Sequence, residues 1–170
     1  DLDVKNAKLV GFSFAYEENK AYYVPIGHVY LGVGNQISLE AAKNAIIQLN
    51  RYKLVLQNFK YDYEIIKNNF DIELRLYADT MILSWLLNTN EKVGLDYQID
   101  KYFDHKMISF TDVVKKGENF SNVDIERACE YAAEDALMTL KLFNKQLEIF
   151  KEKEEEEILN LAFEVEFDFI

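Results

Sequence analysis

The sequence predicts an α/β or α+β fold, with helices packed on a sheet. Strand-like β-branched and aromatic runs come first, and then alternate with helical patterns. A three-and-four spacing of apolar residues is sustained from 125 to 150, the longest helical pattern in the chain. At 170 residues, 49% hydrophobic and 29% charged, the chain is most simply one domain with a real core, and its composition is not that of a disordered segment.

The elements are justified in order. Residues 8–16 (KLVGFSFAY) have strand composition, residues 17–20 form a polar turn, and residues 21–25 (AYYVP) make the antiparallel return strand. Pro25, the only proline, marks its end, and residues 27–36 are a loop. Ser38 is a candidate N-cap for a helix carrying Ala41, Ala42, Ile46, Ile47 and Leu49. Residues 53–57 (KLVLQ) suit a short buried strand, of the kind found in parallel sheets. Asn58 is placed to cap the next helix, with Ile65, Ile66 and Phe70 on its apolar face. Residues 74–78 suggest another strand, after which Asp79-Thr80 opens a helix through Leu87. A further helix is predicted over 95–102, whereas 109–116 is ambiguous and 117–119 is a loop. In the long helix from about Asp124, the stripe Ile125, Cys129, Ala132, Ala136, Leu140, Phe143, Leu147 and Phe150 is expected to face the core. Tyr131 and Asp135 fall beside that stripe, at the rim of the core. The charge run 151–157 (KEKEEEE) reads as a solvated helix face or hinge, and the apolar residues 158–170 have no evident place in the preceding unit.

Several function classes drop out. A net charge of −11 argues against a wide nucleic-acid footprint built from Lys and Arg, but not against a small site that grips a strand end through metal ions. Cys129 is the only cysteine, which excludes an internal disulfide, and it is expected to be buried packing. No apolar run reaches the roughly 18–20 residues of a membrane span. No leader is visible at the Asp-Leu-Asp start; the missing Met and the apolar end lead us to expect a piece of something longer. Gly32-Val33-Gly34 is too short for a phosphate-binding loop and is expected to be a turn. There is no Cys/His set with zinc spacing and no nucleophile-elbow serine; His28 and His105 read as surface histidines.

The residues that carry chemistry are Asp62, Tyr131 and Asp135. Hydrolysis of a phosphodiester needs an activated water and stabilisation of the leaving oxyanion, and two divalent metals about 3.5–4 Å apart supply both. Mg²⁺ takes oxygen ligands and keeps several waters, so a few acids from separate elements suffice. Tyr131 and Asp135 are one helical turn apart and so share a face, where the phenol can bond an attacking water. Two aspartates and a tyrosine occur in most chains, and Asp62 equally suits electrostatic support of a helix N-terminus.

At these residues the chain resembles the 3′–5′ exonuclease (proofreading) domain of bacterial family A DNA polymerases, a DEDD exonuclease with the tyrosine-type third motif. Gln57-Asn58-Phe59-Lys60-Tyr61-Asp62 is similar to the second exonuclease motif, and Tyr131-Ala132-Ala133-Glu134-Asp135 to the third. Supporting similarities run along nearly the whole chain, in Leu9-Val10-Gly11-Phe12-Ser13-Phe14, Tyr23-Val24-Pro25-Ile26-Gly27-His28, Asp79-Thr80-Met81 and His105-Lys106-Met107-Ile108-Ser109-Phe110. The resemblance implies a ribonuclease H-like mixed sheet flanked by helices. It implies that Asp135 binds the tighter metal, that Asp62 serves the second, and that Tyr131 orients the water. It further implies that Asn58 lies near the substrate strand, and that Leu2 and Phe110 wedge against terminal bases. The metal would be Mg²⁺, with Mn²⁺ or Zn²⁺ as alternatives. The partners would be a DNA 3′ end, single-stranded or frayed, and a polymerase domain of the same chain, with no membrane. The setting would be the bacterial cytoplasm, in association with the nucleoid.

One departure limits this picture. The family's first motif, Asp-x-Glu on the first strand, would fall just before Asp1; Asp1 and Asp3 read as the acids that follow it. Residues 1–150 are therefore expected to be an exonuclease domain whose first strand and first motif lie upstream. Residues 151–170 are expected to be a linker and the lead-in to a polymerase domain. Two other readings stand beside nucleotide removal from DNA: an inactive exonuclease-like scaffold next to a polymerase, and an RNA 3′-end exonuclease of the same superfamily.

Overall fold

The computed structural model describes residues 6–153 and 155–164, with the side chains of all but 156, 161 and 164. Its first two strands, β1 (Gly11–Glu17) and β2 (Lys20–Pro25), form the expected antiparallel hairpin. The register runs from Gly11↔Pro25 to Glu17↔Lys20, with an irregularity between Ala15 and Glu17. Before Gly11 the ladder gives way to a turn-like clasp, in which the Ile26 and Gly27 N–H groups both donate to the Val10 carbonyl at 2.9 and 2.8 Å. Gly11 is demanded by close approach, because a Cβ there would lie 2.2 Å from the Tyr23 hydroxyl.

The second strand pair is parallel, as its apolar sequence indicated. β3 (Leu54–Leu56) and β4 (Leu76–Asp79) are joined by helix α2 (Phe59–Phe70) in a βαβ unit. Among the described residues the strands make two two-stranded sheets, β1–β2 and β3–β4, rather than the one mixed sheet expected. Among the described residues no ladder joins the hairpin to the parallel pair; the long helix Ile125–Glu152 touches both.

The other helices are α1 (Leu39–Leu49), α3 (Thr80–Leu87), α4 (Leu95–Phe103), the single turn α5 (Phe110–Val113), α6 (Ile125–Glu152) and α7 (Glu156–Glu164). Ser38 caps α1 by accepting from the Ala41 N–H at 3.1 Å. Asp124 caps α6 through the Glu126 N–H at 2.9 Å. The ambiguous stretch resolves into α5, capped by Ser109, followed by a 3₁₀ turn at Phe120–Asn122.

Helix α6 packs against β1 and β2, and also against α3 and α4. That double duty corrects the predicted stripe. Its buried positions are Ala128, Met138, Thr139, Leu142, Phe143, Gln146 and Phe150, whereas Ile125, Cys129, Ala132, Ala136, Leu140 and Leu147 are only partly covered. A helix with neighbours on two sides buries a wider arc than one stripe, and that arc includes polar residues. Gln146 is fully buried and donates to the Thr80 carbonyl (2.9 Å) and the Ser84 hydroxyl (2.8 Å), tying α6 to the start of α3. Residues after the charge run also find a place. Leu159, Ala162 and Phe163 of α7 pack against Ala78, Leu83, Phe143 and Phe150, with Phe163 stacked on Tyr77 at 4.8 Å. No helix of the described residues is long and apolar enough to cross a membrane.

Candidate active site

The site begins at the turn from β3 into α2. Asn58 holds a left-handed conformation (φ 61°), and its side chain makes no cap bond, contrary to the capping role expected for it. The cap comes from another strand. Asp79, at the end of β4 and 5% exposed, accepts from the Asn58 N–H (3.1 Å) and the Phe59 N–H (2.8 Å), and also caps its own helix through the Met81 N–H (2.8 Å). Beside it the Thr80 hydroxyl reaches the Leu56 carbonyl at 3.2 Å and the Gln57 amide oxygen at 2.6 Å. Two adjacent residues of β4–α3 therefore fix the turn, which leaves the exposed Asn58 amide uncommitted to capping and sets the direction of α2. Asp62 lies in the first turn of that helix.

The second half is on α6. Tyr131 and Asp135 are both partly covered, at the core's rim as expected, and the Tyr131 hydroxyl hydrogen-bonds the Asp135 carboxylate. Phe110 stands edge-on to Tyr131 with ring centroids 6.1 Å apart, and stacks on Phe120 at 6.3 Å. Phe110 remains 47% exposed.

The electrostatics bring the two halves together. Burial pushes the Asp62 carboxyl up to about 7, and the nearby carboxylates of Asp79 and Asp135 push the same way. Asp135 is raised to about 6, again mainly by burial; the Tyr131 hydrogen bond opposes this and Glu134 adds to it. Tyr131 is held protonated by burial, and by the Asp135 charge. None of the ion pairs among the described residues involves Asp62 or Asp135. Two carboxylates made hard to ionise, with no cation paired to them, are oxygen donors suited to a hard divalent metal. No group of three or more His, Cys, Asp or Glu able to hold a metal occurs among the described residues, and Asp79 is spent on backbone N–H groups.

The chain matches the model of the 3′–5′ exonuclease family over residues 1–150. It belongs to that family. This exonuclease-family chain is 40% identical over 178 residues to a DNA polymerase I of Borreliella burgdorferi, an alignment covering 99% of the chain and 18% of that polymerase. It is 40% identical to a DNA polymerase I of Pseudomonas aeruginosa, over 83% of the chain and 16% of the relative. A DNA polymerase I of Rhizobium leguminosarum is 37% identical, over 84% and 16% respectively. The exonuclease-family chain thus spans less than a fifth of the length of the curated relatives it matches.

Of the residues singled out in the sequence, Asp62 feels the charge of Asp135, and Tyr131, one helical turn from Asp135, is in ring contact with Phe110. Asn58 occupies the turn leading to Asp62, and Leu2 lies outside the described residues. Two further acids shape the site. Asp79 was legible as a helix opener but not as the clamp on the Asn58 turn, and Glu134 was seen only as a motif letter. His28 is a correction. It is 3% exposed, bonded to the Tyr23 hydroxyl (2.7 Å) and the Val123 carbonyl (2.9 Å), because its loop lies against the 3₁₀ turn and not in solvent.

Proposed function

We propose that this domain removes nucleotides from the 3′ end of DNA by metal-dependent hydrolysis, as the proofreading part of a DNA polymerase I. What supports the reading is that the charge of Asp135, one helical turn from Tyr131, acts on the partly covered Asp62, in a chain of the 3′–5′ exonuclease family. Asp62 and Asp135 would hold divalent ions, Mg²⁺ with Mn²⁺ or Zn²⁺ as alternatives, at sites completed by an Asp-x-Glu upstream of Asp1. When bound, such ions activate water and neutralise charge on the scissile phosphate. The chain's own residues do the rest. Asp135 anchors Tyr131, whose hydroxyl stays protonated and is available to orient a water for in-line attack. Asn58 presents an exposed side chain to the substrate strand, and Phe110 offers an apolar face to the terminal base, a role that the family resemblance would also give to Leu2.

The same proposal extends to the sheet and to the setting. The hairpin and the parallel pair would be parts of one ribonuclease H-like mixed sheet, completed by a strand carrying the upstream acids. Residues 151–170 would lead into a polymerase domain of the same chain, in the bacterial cytoplasm with the nucleoid. A net charge of −11 suits a site that grips one strand end through metals and stacking rather than a broad basic groove.

The test is Asp135→Ala in the full-length protein, assayed with Mg²⁺ on DNA carrying a mismatched 3′ end. Activity is expected to fall by about 10³-fold or more with an unchanged circular dichroism spectrum. Retained activity in the variant refutes the assignment. A wild-type protein inactive on DNA but active on RNA ends identifies the RNA exonuclease, and one inactive on both identifies the scaffold.

A further inference from the structure

We propose that Glu134 is a positioning residue that sets the Phe110 platform for the terminal base; this rests on the exonuclease reading given above. Glu134 lies between the two motif residues Tyr131 and Asp135, yet its side chain is committed elsewhere. One carboxylate oxygen accepts from the Ile108 backbone N–H at 2.7 Å, and the other bonds His105 Nε2 at 2.8 Å. The Glu134 side chain is 15% exposed and that of His105 41%, so the bond to the Ile108 N–H is the better shielded of the two. Both partners belong to the segment between α4 and α5, and Ile108 is two residues before Phe110.

The segment has other anchors, but none fixes the same degree of freedom. Met107 packs with Ile99, Met138 and Leu142, and Ile108 packs with Val113, Val123 and Ala128. Lys106 pairs with Asp100 on α4. Apolar contacts tolerate sliding, whereas two hydrogen bonds to one carboxylate fix the height of the strand-like segment along α6. That height determines whether the Phe110 ring meets the Tyr131 edge at 6.1 Å and keeps its exposed face toward the site. The same α6 turn thus carries the water-orienting phenol, the metal-binding acid and the anchor for the base platform. Their i, i+3, i+4 spacing couples the distance from terminal base to scissile phosphate to one rigid element.

The experiment uses the full-length protein and a single-stranded oligonucleotide whose 3′-terminal base is 2-aminopurine, with Ca²⁺ replacing Mg²⁺ to suppress turnover. Stacking on Phe110 quenches the probe, so binding and platform contact are read without hydrolysis. Glu134→Ala is expected to weaken quenched binding by about tenfold, as is Phe110→Ala, the scale of losing one base–aromatic stack. In the Phe110→Ala background, Glu134→Ala is expected to add less than about twofold, because it acts through the ring already removed. Glu134→Gln is expected to recover most of the binding, since its amide can accept from Ile108 and donate to His105. His105→Ala removes the more exposed bond alone. It keeps the proposal testable if Glu134→Ala fails to fold, with a loss of about threefold that likewise vanishes without Phe110. Wild-type binding by Glu134→Ala, or losses that multiply in the double variant, overturn the role of Glu134 and leave the exonuclease reading intact. A wild-type protein that neither binds nor quenches the probe overturns the reading beneath it.

Discussion

Asp62→Asn removes a charge that the fold disfavours and a ligand that the proposed metals require, so its effect on stability should reverse with metal. In the metal-free chain Asp62 ionises near 7 instead of 3.8, because burial, and after it Asp79 and Asp135, oppose the carboxylate. At about 1.4 kcal/mol per pH unit this is about 4 kcal/mol between the two protonation states. The unfolded chain releases the proton above about pH 4 and the folded chain keeps it to about pH 7. Metal-free stability is therefore fully present below pH 4 and falls as the pH rises through that window. Asp135, raised to about 6, adds a loss of the same sign that ends about one pH unit earlier. An asparagine at 62 has no proton to release. The variant should keep about 1–3 kcal/mol of what the wild type loses by pH 8, allowing for imperfect hydrogen bonding of the new amide. For a chain of this size that is roughly 2–4 °C of melting temperature per kcal/mol. Mg²⁺ should then stabilise the wild type by about 3 kcal/mol at a hundredfold excess over its Kd, and the variant far less. Thermal melts of chelated protein at pH 5 and pH 8, with and without saturating Mg²⁺, measure all of this. A variant less stable than wild type at pH 8 without metal, or one that gains as much from Mg²⁺, would refute the reasoning.

Other perturbations test the scaffold of the site. Asp79→Ala strips the acceptor from the Asn58, Phe59 and Met81 N–H groups and should cost about 2–4 kcal/mol in urea denaturation; a loss below about 1 kcal/mol would mean that water replaces it. Tyr131→Phe removes the hydrogen bond that favours the Asp135 carboxylate, so in metal-free protein Asp135 should titrate above about 6 when followed by carboxyl NMR; an unchanged midpoint contradicts the contact. Gly11→Ala drives a methyl into the Tyr23 hydroxyl, which is itself bonded to His28 at 2.7 Å, and should destabilise by about 1–3 kcal/mol; Tyr23→Ala in the same chain should make that substitution nearly silent.

The hairpin, the parallel pair and several helix starts were legible because each rests on local signals: β-branched runs, a short apolar strand, and Ser or Asp at the caps. What the sequence concealed is long-range and polar. Gln146 sits at the centre of the α3–α6 contact, and no hydrophobic periodicity could select a glutamine whose partners are 66 and 62 residues away. The single-stripe reading of α6 failed for a related reason, since spacing reports one face and this helix has neighbours on two. His28 looked like a loop histidine because what buries it lies 95 residues on, at Val123.

The site divides along the same line. Tyr131 and Asp135 share a helical face by arithmetic, so their pairing could be read from spacing. Their relation to Asp62 could not, because it depends on how β3 and β4 align, and on Asp79 reaching across from β4 to hold the Asn58 turn. That reach also explains why an aspartate near Asp62 is not itself a ligand candidate. Three N–H donors satisfy its carboxylate, whereas Asp62 and Asp135 are partly covered without a paired cation and ionise only reluctantly. Acids that the fold supplies with donors set geometry, and acids that it leaves short of compensation are the ones a divalent ion would stabilise most. By that criterion the chain distinguishes its structural aspartate from its two candidate ligands, although all three would look alike to a motif search.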